Sequence, residues 1–214
     1  MKLFTALVSY NRPELLKRTV ASYLETVSMP FDLVIVDNGS DEETLDWLSA
    51  SGLKTLLLGE NRYPGYAANQ AWTLHDESHD FLHRSDNDLH YLPGWCEALV
   101  QRFQRGHARG GPGLRVGQVG LMTDAQEGRK VPAVGGNMAI RREVYEEGVR
   151  YTEEPWDTVP WEDGMMTGSV VSAGWGWARV STQCLVHLGD PPDFDDPYYV
   201  RTYGVRGILP EGVG

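Results

Sequence analysis

Cysteine is scarce in this sequence and long apolar runs are absent, and each shortage excludes a class of protein. The 214 residues include two cysteines, Cys96 and Cys184, whose separation fits neither a disulfide framework nor a metal-binding cluster. A reducing compartment is therefore expected, and we predict a cytoplasmic location. No stretch approaches the roughly 18 apolar residues that a membrane-spanning helix needs, so we predict no membrane span.

The amino-terminal segment MKLFTALVSYNRPELL is as apolar as a signal peptide but lacks the cleavage site of one. It runs directly into Tyr10, Asn11, Arg12 and Pro13 without the small residues that a signal peptidase recognises. We therefore interpret its apolar part as a buried first strand.

Acidic residues outnumber basic ones, and the formal net charge of -11 argues against nonspecific binding to a polyanion. One segment, QRFQRGHARGGPGLR at residues 101–115, departs from this balance because it has no acidic residue. Its arginines are Arg102, Arg105, Arg109 and Arg115. Two interpretations stay open: a helix end that runs into a flexible loop, or a mobile basic loop that contacts an anionic donor or acceptor.

Strand, turn and helix alternate three times in the first third of the chain. The predicted strands are Leu3 to Ser9, Phe31 to Val36 and Leu53 to Leu58, and each is followed by a polar turn and a helical pattern. This alternation is typical of an α/β domain with a doubly wound parallel sheet. Such sheets bind ligands beyond the carboxyl ends of their strands.

Polar clusters follow the predicted strands at that edge. They are Tyr10-Asn11-Arg12, Asp37-Asn38-Gly39-Ser40, the stretch from Asn61 to Asn69, and Asp86-Asn87-Asp88. The last cluster is compatible with a solvated turn or with two carboxylates that hold one hard cation. The phosphate-binding patterns GxGxxG and GxxxxGK[ST] are absent, which argues against a Rossmann dehydrogenase or a P-loop NTPase.

Six segments in a fixed order resemble a family 2-type glycosyltransferase with the GT-A fold. They are VSYNRPELLKRTVASYL, LVIVDNGSDEETLDWL, NRYPGYAANQAW, SDNDL, VGGNMAIRREVY and WEDG. The resemblance implies one GT-A domain over residues 1–190, with a nucleotide-sugar half at 1–90, an acceptor and catalytic half at 91–190, and a C-terminal extension at 191–214. It implies a Rossmann-like, mainly parallel sheet flanked by helices.

The implied activity is metal-dependent, inverting transfer of a sugar from a nucleoside diphosphate sugar, with a UDP-sugar favoured, to an acceptor hydroxyl. The acceptor stays open between a glycan, a small molecule and a modified nucleobase in DNA. Asp86 and Asp88 match the family's DxD motif and would hold Mn²⁺ or Mg²⁺, and Asp86 would also contact the donor. His187 is either a further metal ligand or a structural residue.

The remaining implied residues surround the nucleotide and the acceptor. Asp37 would accept a hydrogen bond from the base. The other nucleotide contacts would be Tyr10, Asn11, Arg12, Asn61, Gly65, Tyr66 and Asn69. Asp163 would be the general base, with Glu162 as its substitute, although acidic residues also suit the first turn of a helix for electrostatic reasons.

Four tryptophans crowd the segment around the expected acceptor site: Trp156, Trp161, Trp175 and Trp177. They are either sugar-stacking or packing residues. The strand before the DxD motif departs from the family pattern, since His83 and Arg84 replace apolar residues. The Q-x-x-R-W segment of processive synthases is absent, and so is the G-x-G-T/S-R-type loop of sugar-nucleotide pyrophosphorylases. A catalytically inactive GT-A module that binds nucleotide or glycan as a scaffold remains the alternative.

Overall fold

The computed structural model describes residues 1–123, 134–153 and 162–189. Within these ranges, eight strands form one sheet in the order β3-β2-β1-β4-β7-β6-β8-β5. The strands are β1 (Leu3–Ser9), β2 (Phe31–Asp37), β3 (Thr55–Leu57), β4 (Phe81–Asp86), β5 (Leu89–Tyr91), β6 (Val116–Thr123), β7 (Met138–Arg141) and β8 (Gly176–His187). The helices are α1 (Pro13–Thr26), α2 (Glu42–Ser51), α3 (Pro64–Trp72), α4 (Trp95–Arg105), α5 (Arg142–Glu146) and α6 (Glu162–Ser172).

The three predicted strand–helix units are confirmed. β1 pairs in parallel with β2 and β4, and β2 pairs in parallel with β3. Every residue of β1 is buried, as expected for a strand covered on both faces. β3 is shorter than the apolar run from Leu53 to Leu58, since it comprises only Thr55–Leu57. The mainly parallel α/β sheet expected from the sequence is therefore present.

The second half of the chain adds antiparallel pairing. β7 lies between β4 and β6 and is antiparallel to both, while β6 pairs in parallel with β8. The short strand β5 pairs with the end of β8, so that Leu89 lies opposite His187. This last pairing brings the far end of the chain back to the segment that follows Asp86.

Helices cover both faces of the sheet. One face packs against α1, α2 and α4 through clusters that include Leu7, Leu16 and Leu99, and the other packs against α3, α5 and α6 around Trp72 and Met166. Side chains alternate between the faces along each strand. No helix in the described ranges is long and apolar enough to cross a bilayer.

The two unusual residues of β4 point to opposite faces. His83 packs among Tyr23, Tyr91 and Trp95, and burial lowers its pKa to about 3, so the ring is neutral. Its Nδ1 lies 3.2 Å from the Thr5 hydroxyl. Arg84 points to the face that α3 and α6 cover. The residues that break the expected apolar run therefore both have defined buried partners.

Candidate active site

The register of the sheet collects the polar clusters at its carboxyl edge. Ser9 lies opposite Asp37, and Val8 lies opposite Asp86. The segments that follow β1, β2 and β4 therefore begin side by side, as the sequence predicted.

Asn11 ties these segments together. Its backbone N–H donates to the Ser40 hydroxyl at 2.8 Å, and its side-chain oxygen accepts from the Asp41 N–H at 2.8 Å. The amide of Asn87 donates to the Asn11 carbonyl at 3.2 Å. Asn11 and Arg12 have φ angles of 52° and 60°, a left-handed conformation that asparagine tolerates better than most residues. The turn thus aims Arg12 toward the segment after β4.

Asp37 closes the turn after β2 with one oxygen and keeps the other without a partner. Oδ2 accepts from the backbone N–H groups of Gly39 and Ser40 at 3.1 Å each. Oδ1 is buried and has no hydrogen-bond partner in the described part of the chain, and the same holds for the Ser9 hydroxyl opposite it. An unpaired buried acceptor costs about 1–3 kcal/mol. Asp37 Oδ1 is therefore an acceptor that no donor among the described residues satisfies.

Asn61 shapes the turn before α3. Its side-chain oxygen accepts from the Asn38 amide at 3.0 Å, and Asn38 accepts in return from the Arg62 N–H at 3.0 Å. The backbones touch here, because a Cβ on Gly39 would lie 2.5 Å from the carbonyl carbon of Glu60. The described contacts of Asn61 thus hold two loops together.

The start of α3 is fastened to the second half of the domain. The Gly65 N–H donates to Glu162 Oε2 at 3.0 Å. Asn69 forms a two-way pair with the backbone of Tyr151, with both distances 3.0 Å. Tyr66 is half-buried, and its ring lies 4.2 Å from the Arg62 guanidinium. Gly65 and Asn69 therefore anchor the helix, whereas the described contact of Tyr66 is with Arg62 on the preceding turn.

Asp88 and His187 are brought together although 98 residues separate them in the sequence. His187 Nε2 lies 3.4 Å from Asp88 Oδ2, and Arg12 donates to the same oxygen at 3.0 Å. Burial, reinforced by Asp86, raises the pKa of the Asp88 carboxyl, and His187 and Arg12 oppose this increase. The pairing of β5 with β8 explains why a residue so late in the chain reaches the DxD segment.

Asp86 is held from both sides and remains about one-third exposed, at 34%. Its Oδ2 accepts from the Asn137 amide at 3.2 Å, and its backbone N–H donates to Asn137 Oδ1 at 3.0 Å. Its Oδ1 lies 3.4 Å from Arg84. In the described ranges, no three Asp, Glu, His or Cys side chains are arranged to hold a metal ion as they stand.

The donor set nevertheless fits a divalent cation chemically. Two carboxylates and an imidazole are ligand types that Mn²⁺ accepts, and Mg²⁺ accepts the carboxylates. Asp88 Oδ2 already attracts two cationic or potentially cationic groups, Arg12 and His187.

Arg84 donates hydrogen bonds both to Asp86 and to the acidic pair Glu162-Asp163. The sequence did not reveal these contacts. The Arg84 Nη1 donates to Glu162 Oε1 at 2.8 Å and to Asp163 Oδ1 at 3.2 Å. Its Nη2 donates to Asp86 Oδ1 at 3.4 Å. The departure from an apolar pattern at Arg84 was the available signal, because a charged side chain in a buried strand requires a counter-charge.

Glu162 and Asp163 differ in their surroundings. Both oxygens of Glu162 are engaged, one by Arg84 and the other by Gly65, and the residue is buried. Asp163 remains 35% exposed at its side chain. Burial of its carboxyl raises the pKa of Asp163 to about 7, and the nearby Arg84 guanidinium opposes that increase.

Of the two interpretations of the tryptophans, packing fits Trp175 and Trp177, which lie against the hydrophobic core. They stand where β8 begins, and β8 runs parallel to β6, which has the same direction as β4. Both tryptophans therefore lie at the edge opposite Asp86. Arg115 lies over the Trp175 ring and Arg109 over the Trp177 ring, each at 5.2 Å, so this part of the basic loop is also remote from the site. Trp156 and Trp161 lie outside the described residues, as does the extension at 191–214.

The sheet is mixed, is covered by helices on both faces and carries its polar clusters at the carboxyl edge. Together with the strand order, these features define a GT-A-type α/β domain. The model of the family described as "Glycosyl transferase family 2" matches residues 6–118, and the chain belongs to that family. This is the family that the six ordered segments resembled. No curated protein sequence matches the chain.

Solved structures share the fold at low sequence identity. S. aureus TarS 1-349 in complex with UDP-GlcNAc is 16% identical, with a TM-score of 0.67 over 90% of this chain and 60% of TarS 1-349. The mannosyltransferase PcManGT from Pyrobaculum calidifontis, in complex with GDP-Man and Mn²⁺, is 15% identical, with a TM-score of 0.68 over 92% of this chain and 59% of PcManGT. The chain thus spans about three-fifths of the length of these proteins.

Proposed function

We propose that this chain is a metal-dependent, inverting glycosyltransferase that moves a sugar from a nucleoside diphosphate sugar to an acceptor hydroxyl. The observation that carries the proposal is that Asp86 and Asp163 contact the same guanidinium, that of Arg84. A carboxylate on the donor side and a carboxylate suited to proton removal therefore lie at one point of the sheet edge. Both remain about one-third exposed, so a ligand can reach them.

The nucleotide base would be recognised by Asp37. Its buried Oδ1 needs an N–H donor, which uracil supplies through N3 and guanine through N1. A UDP-sugar is the favoured donor and a GDP-sugar the second choice, in keeping with the UDP-GlcNAc and GDP-Man in the TarS and PcManGT complexes. Tyr10 and Arg12 follow β1 and Tyr66 lies on α3, positions that suit contacts with the rest of the nucleotide.

Asp86, Asp88 and His187 would hold Mn²⁺ or Mg²⁺. When bound, the ion would offset the negative charge that develops on the diphosphate leaving group. The Mn²⁺ in the PcManGT complex supports this assignment. Arg12 contacts Asp88 and is placed to assist in the same way.

Asp163 would act as the general base. The acceptor oxygen attacks the anomeric carbon, its proton passes to the Asp163 carboxylate, and the bond from that carbon to the phosphate oxygen breaks with its electron pair on the nucleoside diphosphate. Attack from the face opposite the leaving group inverts the anomeric configuration. Asp163 suits this role better than Glu162, whose two oxygens are already engaged.

The alternative is an inactive GT-A module that binds nucleotide as a scaffold. The contact of Arg12 with the expected metal ligand Asp88 is the observation in its favour. Titration calorimetry with UDP and GDP, each with MnCl₂, MgCl₂ or EDTA, tests binding. Mass spectrometry of UDP-GlcNAc and GDP-mannose mixtures, with methyl glycosides or water as acceptor, tests turnover. Metal-dependent binding with release of nucleoside diphosphate supports transfer, whereas binding without release supports the scaffold.

A further inference from the structure

Arg84 is a buried cation, 3% exposed, to which the proposed reaction assigns no chemical step. A buried guanidinium is costly unless it is paired and hydrogen-bonded. Arg84 meets that requirement with three carboxylates, on Asp86, Glu162 and Asp163. These residues belong to two elements, β4 and α6, that are far apart in the sequence.

The strand geometry explains how Arg84 reaches both groups. It lies two residues before Asp86 on β4, so both side chains point to the same face of the sheet. α6 covers that face and begins at Glu162, so its first two side chains meet the guanidinium. A planar guanidinium offers several donors in a fixed fork, which lets one side chain hold carboxylates from different directions.

The three carboxylates do not depend on Arg84 equally. The Asp86 carboxylate also accepts from the Asn137 side-chain amide, and Glu162 also accepts from the backbone N–H of Gly65. Asp163 accepts from Arg84, the one side-chain donor to it among the described residues, and from the backbone N–H of Gly136. Loss of the guanidinium should displace Asp163 more than Asp86, because Asn137 still binds both the carboxylate and the backbone N–H of Asp86.

We propose that Arg84 is a positioning residue that fixes the Asp163 carboxylate relative to Asp86. The inference rests on the proposed transfer reaction. A general base must lie within hydrogen-bond reach of the hydroxyl that it deprotonates. Because Asp86 marks the donor side, a rigid link from Asp86 through Arg84 to Asp163 sets the distance between the donor and the base.

The test compares Arg84→Lys and Arg84→Ala with Arg141→Ala as a matched control. Arg141 is also an arginine of the sheet, with partly buried contacts, but it donates to the backbone carbonyls of Val116 and Phe103 at the other edge of the sheet. For each variant, kcat is measured with the sugar nucleotide that the unmodified chain consumes. The dissociation constant for the corresponding nucleoside diphosphate with MnCl₂ is measured by calorimetry, and the melting temperature by differential scanning calorimetry.

We expect Arg84→Lys to lose about 10²-fold in kcat, since misplacement by about 1 Å is enough for such a loss. The dissociation constant should change by less than about threefold, under ~0.7 kcal/mol, because Asn137 still holds Asp86. Methylguanidinium should restore part of the kcat of Arg84→Ala. Arg141→Ala should lower the melting temperature and leave kcat unchanged.

Two results would overturn the inference. The first is an Arg84→Lys variant with unaltered kcat. The second is that Arg141→Ala and Arg84→Lys lower the melting temperature equally and also lower kcat equally, which would make the effect one of stability alone. If the unmodified chain consumes no sugar nucleotide, the proposed function itself is rejected. That result is distinct, because it appears before any variant is compared.

Discussion

Arg12 and Asp88 form an ion pair at 3.0 Å, although the proposed function assigns Asp88 to a metal ion. The same Asp88 oxygen lies 3.4 Å from His187. A divalent cation that binds Asp88 would therefore compete with Arg12 for one carboxylate. In the proposed reaction, this competition would release the Arg12 guanidinium to contact the diphosphate of the donor.

The first prediction is that Asp88→Asn loses metal-dependent nucleotide binding while the fold persists. Asparagine keeps the volume but removes the negative charge that a hard cation needs. Since burial already raises the pKa of the Asp88 carboxyl, a neutral replacement should cost little stability. We expect the tightening of UDP binding by MnCl₂ to fall by at least about tenfold, ~1.4 kcal/mol, in titration calorimetry.

Asp46→Asn is the control. Asp46 is exposed on α2, so its substitution removes the same charge at a position away from the site. If Asp88→Asn and Asp46→Asn keep the same response to MnCl₂, the DxD segment is a turn and not a cation site.

The second prediction concerns recognition of the nucleobase by Asp37. Asp37→Asn should weaken UDP binding about tenfold to a hundredfold, because a hydrogen bond to a charged acceptor contributes roughly 1.5–3 kcal/mol. The new amide can instead donate to cytosine N3, so CDP should gain relative to UDP. Titration of both nucleotides gives the ratio of their dissociation constants. An unaltered UDP-to-CDP ratio would show that Asp37 does not face the base.

The third prediction is a pH dependence of turnover. Only the deprotonated carboxylate can accept a proton, and burial raises the pKa of Asp163 to about 7. The rate of nucleoside diphosphate release should therefore rise about tenfold per pH unit below that value and level off above it. Asp163→Asn should lose turnover and keep nucleotide affinity. A variant that still turns over with the same pH profile would move the base elsewhere, with Glu162 the nearest candidate.

The raised pKa of Asp163 also makes stability depend on pH. Stability falls over the pH range in which turnover rises. The pKa of Asp163 is higher in the folded state than its ordinary value of 3.8, so the folded state binds more protons between pH 4 and 7. Its contribution to the free energy of unfolding therefore falls as the pH rises through that window. Asp163→Asn should remove this dependence, which urea unfolding at a series of pH values can measure.

The first half of the fold was predictable because periodic apolar runs alternate with turn residues there. Leu3–Ser9 is the strand that the sequence indicated, and β1, β2 and β4 end at one edge as a parallel sheet requires. The pairing of the later strands was less predictable, because β5 and β7 have three and four residues and their partners are distant in the sequence. Short strands carry almost no periodic signal.

Nearness in the sequence did not indicate which residues lie close together in the fold. Trp175 and Trp177 follow the acidic pair by about a dozen residues, yet α6 carries the chain to the opposite edge before β8 begins. The contact of Arg84 with Asp163 spans 79 positions and leaves no local pattern. The proximity of His187 to Asp88 depends on β5 in the same way. Such contacts follow from strand order, which periodicity does not encode.

The fourth prediction separates two glycines that a sequence alone would treat alike. Gly65 lies in α3, where an added Cβ would be 2.6 Å from Glu162 Oε2 and 2.8 Å from the Tyr151 Cβ. Gly168 lies in α6, where an added Cβ meets nothing within 4 Å. Gly65→Ala should therefore lower the free energy of unfolding by about 1–3 kcal/mol through overpacking. Gly168→Ala should raise it by about 0.5–1 kcal/mol, because alanine favours a helix.

Urea unfolding of both variants measures these two changes side by side. Gly65→Ala should also reduce kcat, since the displaced Glu162 shares the Arg84 guanidinium with Asp163. Gly168→Ala, on the same helix as Asp163, should leave kcat unaltered. If Gly65→Ala is as stable as the unmodified chain, the close approach of α3 to Glu162 is wrong, and the link from that helix to the base fails with it.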